Sequence, residues 1–292
     1  MFTIDANNIQ ESYMHKIIAL VFFMMLMKID AQTGVAPTGS GTTASPYLVT
    51  SWQNLFWISQ NPTKWDKHFV QTVDIDFSIA TPSIDTWDNG NGWAPIGRDG
   101  TAFSGSYDGG NHTIYGLYIN RSSDEVGLFG NNSYSSSVKD LRIIDFSITG
   151  RQRIGGMVGL LNYGNIINCY ASGDVVGDGI IGCLVGGNRG VISNCYSTGS
   201  IVGDDAGGLV GFNAPDGVIR NCSTDINISG QLSGGGLVGT NYGLIDKCQA
   251  SGQVNVDDLS GGLVGFNANG GIITSSMSSA LVISIQNGGG LV

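Results

Sequence analysis

The chain has 292 residues, of which 41% are hydrophobic, only 12% are charged and 46 are glycine. That is enough apolar material for one large domain or two ordinary ones, and glycine is too sparse to fill every third position, which excludes collagen. A formal charge of -10 with only 13 Lys and Arg excludes a nucleic-acid surface, because a phosphate backbone needs a cationic face.

At the N-terminus, Met14-His-Lys16 precedes an eleven-residue apolar stretch from Ile17 to Met27, followed by Lys28-Ile-Asp-Ala31-Gln32. A short basic region, an apolar segment and a small residue at the cut are the parts of a secretory signal. The stretch is short for a membrane span. The thirteen residues before Met14 do not belong to such a signal, so residues 1–31 read as an over-extended start plus signal, with translation starting at Met14 and the mature chain at Gln32. Residues 32–46, rich in Gly, Ser, Thr and Pro, read as a flexible leader, and no later segment is a candidate membrane span.

Residues 47–121 read as an N-terminal cap with irregular first coils. Thr50-Ser51 ahead of Trp52, Leu55, Phe56 and Ile58 predicts a short helix with a polar start, suited to covering the open end of a stacked structure. Alternation over Phe69, Val73, Ile75 and Phe77 predicts a strand. Asp-Gly and Gly-Asn steps mark corners; the strand-then-helix context of a phosphate loop is missing.

From residue 122 to 292 one phrase returns: Gly127-Leu-Phe-Gly130, Gly156-Met-Val-Gly159, Cys183-Leu-Val-Gly186, Gly208-Leu-Val-Gly211, Gly236-Leu-Val-Gly239 and Gly262-Leu-Val-Gly265. Its second positions (Leu128, Met157, Leu184, Leu209, Leu237, Leu263) repeat every 25 to 29 residues, and the chain stops inside a seventh copy at Leu291. An asparagine follows each phrase: Asn132, Asn162, Asn188, Asn213, Asn241 and Asn267. An apolar segment then ends in Cys169, Cys195, Cys222 or Cys248, with Leu141 and Ser276 in the same place elsewhere. A third apolar segment, such as Ile226-Asn-Ile228, closes the unit. Three short β-prone segments cannot form a compact sheet alone, but they can form one coil of a solenoid whose segments bond to their equivalents above and below. The predicted class is all-β: a parallel β-helix with a short N-terminal capping helix. The unfinished last coil makes the sequence read as a fragment of a longer product.

The four column cysteines read as buried free thiols, with one or two disulfides as the alternative, because equivalent side chains on adjacent coils point in parallel. The asparagine column reads as corner residues bonding backbone groups and each other. No metal site is expected among the cysteines, since the repeats hold no histidine and no closely paired cysteines. Weak calcium binding is a minor candidate at an acidic corner formed by Asp204, Asp205, Asp257 and Asp258, near which Asp178 also falls; otherwise no cofactor is expected.

Together the lead-in and repeats resemble the GLUG-motif proteins, over roughly residues 47–292. The lead-in carries Pro46-Tyr47-Leu48, Asp74-Ile-Asp76-Phe, Pro95-Ile-Gly97 and Phe103-Ser-Gly-Ser-Tyr-Asp108-Gly before His112-Thr-Ile114. The departures are Cys183 for the first glycine, Met157 for leucine and an extra residue at Leu160-Leu161. The resemblance implies a right-handed parallel β-helix on bacterial surface or secreted proteins, including adhesins and the non-catalytic part of some immunoglobulin A metallopeptidases. It supplies neither ligand nor reaction. A metallopeptidase's His-Glu-x-x-His is absent: the three histidines are His15, His68 and His112.

The expected function is an exported, cell-surface or secreted scaffold or adhesin-like domain. It binds a glycan or an extracellular protein, with no catalysis of its own and no nucleic acid, and further domains of the same chain are expected partners. The possible binding face is Tyr163, Tyr170, Tyr196 and Tyr242. Two alternatives stand beside it. One is a passive stalk displaying a module beyond residue 292. The other is a carbohydrate-active β-helix enzyme drawing on Asp74, Asp76, Asp85, Asp88, Asp99 and Asp108, which otherwise read as turn and solvent-facing residues.

Overall fold

Every named strand in the repeats pairs in parallel with its equivalent one unit away, as short apolar segments separated by tight corners require. The computed structural model describes Lys16 and residues 32–292; the expected signal segment and translation start lie outside the described residues. Residues 33–292 form one compact unit, a parallel β-helix. Among the described residues no helix is long and apolar enough to cross a membrane.

Each full coil has four strands where the sequence predicts three, because the Gly-Leu-Val-Gly phrase sits on a corner instead of within one strand. In one coil Asp205–Gly207 ends at the phrase, Val210–Asn213 leaves it, and Val218–Arg220 and Ser223–Gly230 complete the circuit. These four positions build sheets of seven, six, nine and ten strands. At the corner, the N–H groups of both Leu209 and Val210 donate to Leu237 O of the next coil. The last glycine of the phrase tolerates no side chain: a Cβ on Gly211 would stand 2.6 Å from Ile181 N.

Alternation places the core. In Ser223–Gly230, Thr224, Ile226 and Ile228 are buried and Asp225, Asn227 and Ser229 exposed, as the two-residue strand period demands. The phrase residues Leu128, Met157, Leu184, Leu209, Leu237 and Leu263 stack in the core, fully buried. One departure has a packing reason. The rung filled by Phe146 and Ile226 is glycine in the two strands between them, Gly173 and Gly199. A Cβ on Gly156 would meet Phe146 Cζ at 2.6 Å, whereas Cys183, in the equivalent place one coil on, lies beside strands that carry Gly173 and Gly199 and is fully buried.

All five cysteines are free and buried. The column thiols serve the ladder: Cys169 N–H points at Cys195 Sγ (3.5 Å) and Cys195 N–H at Cys222 Sγ (3.4 Å). Ser276 Oγ accepts from Cys248 N–H at 3.0 Å in the same way, which is why serine can replace cysteine there.

The asparagine column is interior. Asn188, Asn213, Asn241 and Asn267 form a continuous amide ladder, each Nδ2 donating to the next Oδ1 at 2.8 Å. Asn162 is not part of it. The register sets Leu161 opposite Asn132 on one side and Asn188 on the other, so the extra residue of this repeat falls at the corner and leucine takes the amide's place. Both amide atoms of the fully buried Asn132 therefore have no partner.

The predicted helix forms at Trp52–Gln60 (α1), N-capped by Ser51, whose Oγ accepts from Asn54 N–H. Its Leu55 and Ile58 are buried and Trp65 Nε1 donates to Ile58 O. Trp87 packs against Trp52 (5.3 Å), Phe56 (5.2 Å) and Phe77 (5.8 Å), so this end is closed with aromatic rings where the repeats use aliphatics. The expected leader, 32–46, is tied to the cap: Val35 N–H donates to Gln53 O, Asn54 Nδ2 to Val35 O and Leu48 N–H to Thr38 O.

Candidate functional site

The corner just before each column position is turned by a residue in left-handed backbone: Asp140, Asn168, Asn194, Asn221, Lys247 and Ser275, with φ between 49° and 55°. Asparagine and aspartate accept that conformation more readily than other residues with a Cβ. Because the coils are in register, these side chains form a wall on the outside. Asn168 Nδ2 donates to Asp140 Oδ1 at 3.0 Å and Asn194 Nδ2 to Asn168 Oδ1 at 3.2 Å.

Two residues further along each coil the next strand begins, and its first residues face out beside this wall. Arg142, Tyr170 and Tyr196 are direct cross-strand neighbours. The tyrosine rings stack at 5.5 Å and 22°, and the Arg142 guanidinium lies over Tyr170 at 4.7 Å, within the range of a cation–π contact. Wall and column enclose an open groove of about 540 Å³, lined by Asn111, Asp140, Arg142, Asn168, Tyr170 and Tyr196. It offers aromatic surface, a fixed cation, a carboxylate and amides, the group types that orient a polar ligand. Burial, with Asp225 and Tyr170 adding to it, pushes the Tyr196 phenol above its ordinary pKa, so it stays a neutral donor.

The expected four-tyrosine face divides. Tyr170 and Tyr196 come together; Tyr163 and Tyr242 lie at a different corner, before the short strands Asn165–Ile167 and Leu244–Asp246, three coils apart. Tyr163 stacks on Tyr134 at 4.3 Å and donates its hydroxyl to Asp216 Oδ2 at 3.2 Å, which raises its pKa. Tyr242 packs on Phe212 at 5.5 Å. Arg142, Asn168 and Asn194 are the groove residues that sequence reasoning missed. The signal was present: Leu141 aligns with Cys169, so Arg142 aligns with Tyr170, and asparagine recurs before the cysteine.

The acidic corner is a line of separated pairs. Asp205 pairs with Ser233 and Ser233 with Leu259, so Asp204–Asp205 and Asp257–Asp258 stand two coils apart, about 10 Å along the axis. Asp258 Oδ1 accepts from Asn287 Nδ2 at 2.7 Å. Burial, then Asp204, raises the Asp205 pKa. Among the described residues no three His, Cys, Asp or Glu side chains gather as a metal site. The lead-in carboxylates are each occupied locally. Asp74 accepts from Thr113 N–H, Asp76 from Ser78 N–H, and Asp85 from the Ser83 hydroxyl. Asp88, Asp99 and Asp108 pair with Arg121, Arg98 and Lys139.

Fold and groove together define a β-solenoid scaffold with a polar aromatic groove on its outer face. Residues 150–176 match the family described as the GLUG motif, and the phrase recurs in the neighbouring coils, so the chain carries GLUG-motif repeats. Halomucin of Haloquadratum walsbyi is 39% identical over 153 residues, a match covering 52% of this chain and 2% of halomucin. A protein of Evansella cellulosilytica described as a Gly-rich membrane protein is 32% identical over 142 residues, covering 48% of this chain and 16% of that one. The chain thus matches only a small part of either relative's length. Among solved structures, a Bacteroides ovatus chain described as an immunoglobulin A1 protease superposes with a TM-score of 0.67 at 22% identity, covering 85% of this chain and 80% of that one. A second, described as an IgA1 protease, gives 0.66 at 22% identity, covering 83% and 20%. At this identity they share the fold alone with this chain.

Proposed function

We propose that this chain is an exported, surface-associated scaffold, adhesin-like in binding a glycan or an extracellular protein through the Arg142–Tyr170–Tyr196 column, without catalysis of its own. The carrying observation is that three large side chains stack outside the coil, beside an amide wall that fixes their surroundings. Such rigid, half-exposed aromatic surface costs little side-chain entropy on binding. The signal-like N-terminus and the relatives described as a halomucin and a membrane protein support a place at or outside the cell surface. Local engagement of each lead-in carboxylate argues against the carbohydrate-active enzyme.

The test is a glycan and matrix-protein array probed with the full chain, with and without calcium. Saturable binding that is lost when Tyr170 and Tyr196 are both changed to alanine is the expected result. No binding across the array refutes the proposal and leaves the alternative of a passive stalk that displays a further module.

A further inference from the structure

We infer that the column's ring-binding subsite lies next to that groove, in a second cavity on the far side of Tyr196, and takes a neutral sugar ring, making the ligand a neutral glycan; this rests on the surface-binding function proposed above. The Tyr170 and Tyr196 rings stack at 5.5 Å and 22°, so each turns one face toward the other. Arg142 covers the other face of Tyr170. Both faces of Tyr170 are therefore taken, and the arginine column shows only edges to a ligand approaching from outside. One face remains, on the side of Tyr196 away from Tyr170. There the next rungs are Ser223, Gln249 and Met277, none of them a ring.

Beside that face is a cavity of about 280 Å³ whose lining includes Tyr196, Ser223, Gln249, Ser251, Met277 and Ser278. It is smaller than the ~300–1,000 Å³ of sites for drug-sized ligands, a scale suited to a single ring. Its chemistry is one aromatic face, one thioether, one carboxamide and several hydroxyls. A pyranose presents a C–H face and a rim of hydroxyls, matching the ring and the polar edge respectively. Ser251 Oγ donates to Thr224 O and keeps its lone pairs to accept from a ligand. Among the described residues the Gln249 carboxamide and the Ser223 hydroxyl make no hydrogen bond to the protein, so they are open to one.

Charge narrows the class further. No lining residue is charged, and the nearest ionisable neighbour in register, Asp225, sits between Thr198 and Ser251 on the exposed face of the strand. Lys247 stands in the outer wall two residues before Gln249, so charges of both signs flank the cavity, and a carboxylate-bearing sugar would find no cation in the lining itself to offset its desolvation. The fixed cation, Arg142, is two rungs away on the covered side of Tyr170.

The experiment uses the full chain with methionine methyls labelled, the Met277 signal being assigned by its loss in Met277→Leu. Neutral tetrasaccharides (glucose, mannose, galactose and N-acetylglucosamine series) are titrated beside tetrauronates. The expected result is a saturable shift of the Met277 methyl with at least one neutral series and none with uronates. Gln249→Ala should weaken binding about tenfold, the worth of one lost hydrogen bond. Tyr196→Phe, which keeps the ring face, should bind as the parent does, and Tyr196→Ala should not bind. Loss on Arg142→Ala with no effect of Gln249→Ala, or binding by uronates alone, overturns this subsite while leaving surface binding intact. So does binding of a matrix protein without any sugar. Failure of sugars and proteins alike overturns both.

Discussion

Asn213 occupies the middle of the interior amide ladder, so changing it to alanine isolates what the ladder contributes. Its Oδ1 accepts from Asn188 Nδ2 at 2.8 Å, and its Nδ2 donates to Asn241 Oδ1 at 2.8 Å and to Gly217 O at 3.3 Å. Alanine leaves Asn188 Nδ2 buried without an acceptor, a cost of about 1–3 kcal/mol, and removes two further bonds worth about 1 kcal/mol each. The expected destabilisation is about 4 kcal/mol, a large fraction of a typical domain's stability. Asn132→Leu should act in the opposite direction. Its amide already has no partner, because Leu161 fills the adjoining rung, so an apolar group of similar size should stabilise the fold by about 1 kcal/mol. Urea unfolding of both variants gives the signs, and hydrogen exchange at residues 185–220 checks for local opening, because a solenoid can unfold piecewise. Asn168→Gly is the control: its amide belongs to the exposed wall, glycine accepts its φ of 55°, and the change should stay within about 0.5 kcal/mol. The reasoning fails if Asn213→Ala costs less than about 1 kcal/mol, or if Asn132→Leu destabilises as much as Asn213→Ala does.

A thiol reagent should find no reactive cysteine in the native chain and all five after denaturation, since every one is free and buried. Gly156→Cys should destabilise, because its Cβ would stand 2.5 Å from Cys183 O and 2.6 Å from Phe146 Cζ, and a lowered urea midpoint would show it. Asp205 has a folded pKa raised by burial and by Asp204, so the folded state binds the proton more tightly and stability falls as pH rises through that range. Asp205→Asn should accordingly be more stable than the parent at neutral pH, with the difference vanishing once both states are protonated in acid. Calcium should leave the melting temperature unchanged: an ion that needs several oxygens within about 2.6 Å cannot be shared by carboxylate pairs two coils apart.

Much of this protein is legible in its sequence because a solenoid converts repetition directly into contact. Cys169, Cys195 and Cys222 recur at one place in the unit, and they meet in the structure because each coil places that residue above its predecessor. The helix at Trp52–Gln60 was legible for a local reason, a serine cap ahead of an apolar stripe. Counting failed at Asn162: one extra residue can be absorbed at the corner or in the strand, and only the ladder's pairing shows that Leu161 took the amide's rung.

The groove shows the same division. Aligning the repeats is enough to place Tyr170 beside Tyr196, since strand period and coil register are sequence properties. Alignment could not show that Tyr163 and Tyr242 find separate ring partners, or that Arg142 closes one end of the tyrosine stack and leaves the far side of Tyr196 open. The sequence by itself determined the coil and what lies above what, because hydrogen-bonded register propagates a local pattern along the axis. Tertiary structure alone decided which faces are covered, because side-chain direction around each corner depends on packing from neighbouring coils, which no single repeat encodes.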